Sequence, residues 1–328
     1  MTWLVTGGAG YIGSHVVRAF IADGINTVVI DDLSSGHRSF VRGDVPFYDG
    51  SVLQRKLLDQ IFTGHKISGV VHLAGFKYAG VSVSRPLHTY TQNVTGMVTL
   101  LESMAANGVA NFVFSSSAAV YGTPATDLVS EQEPTLPESP YGESKLIGEW
   151  LLRDQASATA SEPAPMRHTS LRYFNVVGSG HDDLRDTSPH NLFPVVFERL
   201  VAGEVPFING DDYPTPDGTC VRDFVHVSDL AMSHVTAAEA LEADQPLQPV
   251  YNLGSGSGLS VRQIMDAVAR VTGIEFTPEV RPRRSGDPAR IVATGDLAAR
   301  DLDWKMRHTV DEMVASAWAA RQAAEQRT

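Results

Sequence analysis

A glycine-rich turn near the start of the chain limits the fold more than any other segment. Thr6-Gly-Gly-Ala-Gly-Tyr-Ile-Gly13 lies between a β-branched run, Thr2–Thr6, and an amphipathic stretch, Ile12–Asp23. Gly8, Gly10 and Gly13 satisfy a G-x-G-x-x-G spacing, and Gly7, Gly10 and Gly13 also recur every third residue. Small residues there let the backbone approach an anion, and the helix that follows points its N-terminus at the same place. A tight turn packed closely on its helix is the plainer reading. The position between a strand and a helix favours a dinucleotide pyrophosphate.

The rest of the chain keeps that rhythm. Strand patterns at Thr27–Asp31, Gly69–Leu73, Asn111–Ser115 and Thr169–Asn175 alternate with helix patterns near Val52–Phe62, Pro86–Asn107 and Pro140–Gln155. Such alternation predicts an α/β fold, a Rossmann-type doubly wound parallel sheet covered by helices. Ala156–Arg167, rich in Ala, Ser and Pro, reads as a surface loop, and the tail from Thr309 reads as helix. After Asn175 the loops lengthen. The expected division is therefore a dinucleotide-binding domain over 1–175 and a smaller C-terminal α/β substrate lobe over 176–328, with Val250–Leu253 returning to the main sheet. No internal repeat is visible.

Composition narrows the partners. With 43% hydrophobic and 20% charged residues, the 328-residue chain reads as an ordinary globular protein, and its net charge of −12 argues against nucleic acid. Cys220 stands alone, so no internal disulfide can form, and no apolar run is long enough to span a membrane. The chain begins directly in a strand pattern without a basic stretch or cleavable apolar segment, which makes the cytoplasm the expected compartment. The eleven histidines show no metal-ligand spacing, so no metal is expected.

Three features carry chemistry. Asp31 ends the second strand pattern, 18 residues after Gly13, where an acid grips the adenosine ribose and repels a 2′-phosphate. NAD is thus expected over NADP, with His37 and Arg38 nearby as the opposing signal. Ser115–Ser117 follow a strand and should face the crevice beyond the carboxyl ends of a parallel sheet. Tyr141 and Lys145 are four apart on a helix pattern and share a face. An ammonium beside a phenol favours the phenolate, which can take a proton from a sugar hydroxyl while a nicotinamide accepts hydride.

On these residues the chain resembles the extended short-chain dehydrogenase/reductase superfamily and, within it, the UDP-glucose 4-epimerase family. The matching segments are Val5–His15, His72-Leu-Ala-Gly-Phe-Lys77, Phe114–Gly122, Ser139-Pro-Tyr-Gly-Glu-Ser-Lys145, Leu171-Arg-Tyr-Phe-Asn175, Gly210–Asp223 and Arg283–Asp287. The first and fourth mark the superfamily, while Gly210–Asp223, with Asn191-Leu192 before it, is more particular to the epimerases. The resemblance implies an isomerase that oxidises a UDP-hexose at carbon 4 with tightly held NAD, lets the keto sugar swing, and returns hydride to the other face. It implies Tyr141 as base, Lys145 as the cation beside it, and Ser117 as the group orienting the hydroxyl. For the cofactor it implies Gly7, Gly10, Tyr11, Ile12, Gly13, Asp31, Ser51, Val52, Leu73, Ala74, Gly75, Lys77, Asn93, Ser115, Tyr141, Lys145, Tyr173 and Phe174. For the UDP-sugar it implies Lys77, Ser117, Tyr141, Asn175, Asn191, Leu192, Arg222, Arg284 and Asp287. A homodimer built on Pro86–Asn107 and Pro140–Gln155 is also implied.

Some positions depart from the pattern. Ser51 stands where an aspartate accepts from the adenine amine, Val176 replaces a proline, and Ala119 replaces a hydroxyl residue near the sugar. Ile291 falls where a tyrosine marks narrow enzymes and a small residue marks those accepting N-acetylated sugars. A 4,6-dehydratase needs an acid pair after the active-site turn, and Ala118-Ala119 argues against it. Epimerases of other UDP-sugars stay open, and retention of Tyr141, Lys145 and Ser117 disfavours a non-catalytic sensor.

Overall fold

Strands that alternate between two cores make the frame. In this computed structural model, which describes residues 1–284 and 287–326, six strands of the main sheet form by Tyr173. They are β1 (Thr2–Thr6), β2 (Asn26–Asp31), β3 (Phe47–Asp49), β4 (Gly69–His72), β5 (Asn111–Ser115) and β6 (Arg167–Tyr173). All pair in parallel, and the Val250–Leu253 strand joins beside β6, giving the order Val250–Leu253, β6, β5, β4, β1, β2, β3. Trp3 and Val5 enter one core with Val29, Val71 and Val113; Leu4 enters the other with Val28, Val70 and Phe112. Successive side chains leave a strand on opposite faces, so a sheet buried on both sides needs apolar residues throughout. Gly69 leaves room for the Trp3 indole, whose ring atoms lie 2.6 Å from where a β-carbon would sit.

The sheet order reverses between β1 and β4, and the first helix, Tyr11–Ala22, starts at that switch point. Gly7 has φ +72, and a β-carbon there would sit 2.7 Å from the Ala74 nitrogen; one at Gly13 would sit 2.1 Å from the Gly7 carbonyl. Both glycines are therefore demanded by close backbone contact, whatever they bind.

Several boundaries differ from the sequence reading. The Pro140 helix continues to Thr159, so Ala156–Thr159 is helix and not loop, because Thr159 Oγ1 bonds back to the Gln155 carbonyl and also accepts from Met166 N. The helix expected over Val52–Phe62 runs over Arg55–His65 and ends where Lys66 turns left-handed at φ 49. Pro86–Asn107 is helical through Ala106 but carries a π-turn at Thr91–Thr95. The strand read as Thr169–Asn175 splits: Asn175–Val177 leaves the main sheet and pairs with Phe224–His226.

Beyond Val177 a separate core forms around Phe193, Phe197, Ile264, Val268 and Met313. Three small sheets of two or three short strands accompany it. The helix Val310–Glu325 closes the chain, capped by reciprocal Thr309 and Glu312 bonds. Among the described residues, no helix is long and apolar enough to cross a membrane.

Candidate active site

One continuous cavity of about 860 Å³ runs along the carboxyl ends of the sheet, between the glycine turn and the second core. At one end lie Gly7, Gly10, Tyr11, Ile12 and Gly13. The Gly7 N–H is tied to the Ile30 carbonyl at 2.8 Å, which fixes the turn on β2. Asp31 sits beside it, its two oxygens accepting from Ala9 N and Leu33 N, each at 2.9 Å. Burial pushes this carboxyl up, and the two backbone donors oppose that shift. Arg38 is turned away: its guanidinium stacks 4.5 Å from the Phe47 ring and donates to the Val41 carbonyl at 2.8 Å. Ser51, Val52, Leu73, Ala74, Gly75 and Lys77 complete this end. Ser51 Oγ accepts from Leu53 N at 3.3 Å.

The middle of the cavity holds Ser117, Tyr141, Lys145, Tyr173 and Phe174. Ser139 caps the helix by accepting from Gly142 N at 3.2 Å, and Pro140 occupies the first turn, so Tyr141 is presented at the helix start. Ser117 caps the following short turn by accepting from Ala119 N at 3.2 Å, and its hydroxyl acts on the Tyr141 phenol. Lys145 Nζ donates to the Ser115 carbonyl at 2.9 Å and stands 5.8 Å from the centre of the Tyr141 ring. The shared face that the spacing predicts is present. The expected fall in the Tyr141 pKa is not: burial pushes the phenol above its usual 10, and Ser117 only partly opposes it. Burial likewise brings Lys145 down to about 8, against an upward pull from Glu149. It also drives Tyr173 upward.

Asn175, Asn191, Leu192, Arg222, Arg284 and Asp287 line the far end. Arg222 is oriented by two bonds, to the Val221 carbonyl at 2.8 Å and to Asp287 Oδ1 at 2.5 Å. Asn191 donates to Asp186 Oδ2 at 2.7 Å at the start of the Leu192–Val201 helix.

Four expected positions do not reach the cavity wall. Asn93 lies in the π-turn, and its amide bonds the Phe76 backbone at 2.6 and 3.0 Å and Ser144 Oγ at 2.8 Å, so it braces the loop beside the cavity. The Ser115 hydroxyl is paired with His234 Nε2 at 2.9 Å. Ala119 turns behind Ser117, with its carbonyl against Gly142. Ile291 packs beside Val120, Tyr121, Val129, Leu146 and Phe174 instead of facing the cavity. Conversely, Tyr78, Asp186, His190, Asn209 and Cys220 line it without having been singled out. Cys220 sits inside the Gly210–Asp223 segment, which was the available signal; Asp186 lies in a loop that carried none. Asp223 accepts from Ser255 N and Ala293 N, a structural role.

The donor set suits a dinucleotide at one end: a glycine turn, a helix N-terminus, and a carboxylate from which Arg38 is turned away. Comparison with known proteins agrees. Residues 3–254 match the model of the NAD dependent epimerase/dehydratase family. A UDP-glucose 4-epimerase of Halalkalibacterium halodurans is 41% identical over 97% of this chain and 95% of its own, and one of Corynebacterium glutamicum is 40% identical over 97% and 95%. A crystal structure of the Brucella ovis UDP-glucose 4-epimerase in complex with NAD superposes with a TM-score of 0.91, 37% identity and 97% coverage of both chains. That of Bifidobacterium longum in complex with NAD+ and UDP gives 0.88, 36% and 98%. Likeness at this level over nearly the whole length, on a cavity built from both parts of the fold, settles membership: the chain belongs to the NAD dependent epimerase/dehydratase family and, within it, to the UDP-glucose 4-epimerases.

Proposed function

We propose that this protein interconverts UDP-glucose and UDP-galactose, with each residue in the role its place in the cavity suits. The glycine turn and Asp31 hold the pyrophosphate and adenosine ribose of NAD, with Ser51 and Val52 beside the adenine. NAD supplies a hydride acceptor at carbon 4 and a positive charge next to the phenol. Tyr141 takes the proton of the 4-hydroxyl and returns it to the product, Ser117 orients that oxygen, and Lys145 adds positive charge and binds the nicotinamide ribose. Arg222 and Arg284 take the diphosphate, and Asp287 accepts from the uridine ribose, so the nucleotide stays anchored while the sugar turns. Asn175, Asn191 and Leu192 border the sugar. On this assignment the first 175 residues with Val250–Leu253 bind the cofactor, and the remainder binds mainly the nucleotide sugar.

The observation that carries the reading is the continuity of one cavity from Asp31 through Tyr141 to Arg222 and Asp287. The test is to incubate the protein with UDP-galactose, without added nicotinamide, and identify the product by NMR. UDP-glucose is expected, and a 4-keto-6-deoxy sugar would overturn the reading. Tyr141→Phe should lower kcat by about 10²–10⁴-fold, the usual contribution of a positioned base, while NAD binding persists.

A homodimer in the cytoplasm fits the same reading. Val83, Leu87 and Trp150 are 63%, 82% and 46% exposed on helices that pack together, which leaves an apolar face for a second copy. Light scattering should give twice the chain mass, and a monomer at working concentration would refute the dimer.

A further inference from the structure

Glu149 is a buried carboxylate to which the roles above assign nothing, yet three donors converge on it. It lies one helical turn beyond Lys145. Arg172 of β6 grips it with two nitrogens, Nε to Oε1 at 2.8 Å and Nη2 to Oε2 at 2.5 Å. Ser116 Oγ donates to Oε1 at 2.6 Å. The third Arg172 nitrogen reaches the Tyr121 hydroxyl at 2.8 Å, and that hydroxyl donates to Asn252 Oδ1 at 2.8 Å. The Lys145 ammonium bonds the Ser115 carbonyl, one residue before Ser116, so helix and turn are joined twice. We propose that Glu149 is a positioning residue for the reaction: it ties the turn that presents Ser117 to the helix that presents Tyr141 and Lys145, and it is the counter-charge of the Lys145 ammonium.

A buried ion pair alone says little about stability, since well-packed apolar residues can replace one at no cost. Here the carboxylate also accepts from Ser116 and acts on Lys145, and no apolar side chain could do either. The other titratable groups around this junction are Tyr141 on the same helix, His72 on β4, His168, Arg172 and Tyr173 on β6, Tyr121, which bonds Arg172, and His234, which bonds Ser115. Burial brings His168 and His234 down to about 4. Burial and the Lys145 charge bring His72 down to about 3, so it is neutral. Glu149 is thus the acid that acts on the ammonium, pulling it back toward its ordinary range against burial.

The inference rests on the epimerase reading and is tested beside it. The chain has five lysines, so NMR of lysine labelled at the ε-carbon can follow the Lys145 titration directly. In Glu149→Gln, which removes the carboxylate charge and keeps the side-chain shape, the Lys145 midpoint should fall by about one pH unit, as loss of a nearby opposite charge allows. The alkaline limb of the pH–rate profile should move down with it, kcat should drop about tenfold, and KM and the NAD dissociation constant should stay within about twofold. Ser116→Ala removes one hydroxyl and no charge. It should lower kcat about tenfold with the Lys145 midpoint unmoved, and it decides the matter if the charge variant fails to fold. A folded Glu149→Gln enzyme with the wild-type midpoint and kcat, or a Ser116→Ala enzyme with full kcat, overturns the proposal. Tyr141→Phe in the same assay separates the two failures: activity there sinks the epimerase reading itself, whereas inactivity alongside unaffected Glu149 and Ser116 variants sinks only this inference.

Discussion

Asp31→Asn is the perturbation whose cost can be worked most fully from the coordinates. The carboxylate receives two backbone N–H groups, from Ala9 and Leu33, each at 2.9 Å. An asparagine offers one oxygen and one NH2, so one of these donors must face another donor. A buried polar group left without its partner costs about 1–3 kcal/mol, and the variant should lose that much stability against denaturant. The Ala9 bond holds the glycine turn, so NAD affinity should fall as well. The second effect is on cofactor choice. Removing one charge from beside a 2′-phosphate relieves about 4 kcal/mol at 4 Å in an effective dielectric of 20, roughly three orders of magnitude in the preference for NAD over NADP. Because Arg38 is stacked on Phe47 and bonded to Val41, it offers no ready counter-charge, so NADP binding should become detectable but not tight. Calorimetric titration with both dinucleotides, beside urea melts, measures both effects. A variant with unchanged stability and an unchanged NAD/NADP ratio would refute the role given to this carboxylate.

Two further outcomes follow from single sites. Arg222→Lys keeps the charge but cannot serve both the Val221 carbonyl and Asp287 from a planar fork, so KM for the UDP-sugar should rise about tenfold with kcat nearly unchanged; an unchanged KM would remove Arg222 from the nucleotide site. His234 is buried between Ser115 and the Leu230 carbonyl and brought down to about 4, while in the unfolded chain an imidazole titrates near 6.5. The unfolded state therefore binds the extra proton between those values, and stability falls as pH drops through that window. His234→Gln should lessen the stability lost between pH 7 and pH 5 by about 2 kcal/mol, read from urea melts at the two pH values; equal losses in both proteins would refute the assignment.

Sequence pattern was most informative where a residue's neighbours in the chain determine its surroundings. The glycine turn, the doubly apolar strands and the capped helix carrying Tyr141 all belong to that class, since each is fixed by local geometry and alternation. The returning strand at Val250–Leu253 was legible as a short run holding Val, Tyr and Leu. Its pairing with β6 is set at long range. Legibility failed where the fold decides. The three-residue β3 is too short to show alternation, and the π-turn at Thr91–Thr95 arises because Asn93 is drawn to the Phe76 backbone and Ser144, contacts distant in sequence. Ser115 reads like Ser117 in the chain. It is the last residue of β5 and is paired with His234 in the core, whereas Ser117 lies past the strand end in the turn that borders the cavity. Ile291 and Phe174 pack on the same small core, yet only Phe174 borders the cavity, a difference that no linear spacing reveals.

The reversed sign at Tyr141 shows which effect wins in the site. An ammonium about 6 Å from a phenolate oxygen is worth about 3 kcal/mol in an effective dielectric of 20, or about two pH units on a phenol. Burial can move a pKa by as much as three to five units, and here it acts on both partners at once. It raises Tyr141 and brings Lys145 down to about 8, so near that pH only about half of the lysines carry the charge that would favour a phenolate. On that balance the chain's own groups favour the protonated phenol. In the proposed reaction NAD would supply a further positive charge beside Tyr141 and so favour proton loss there. In that scheme the chain's contribution is to keep Lys145 charged and Ser117 in place, which is where Glu149 and its partners act.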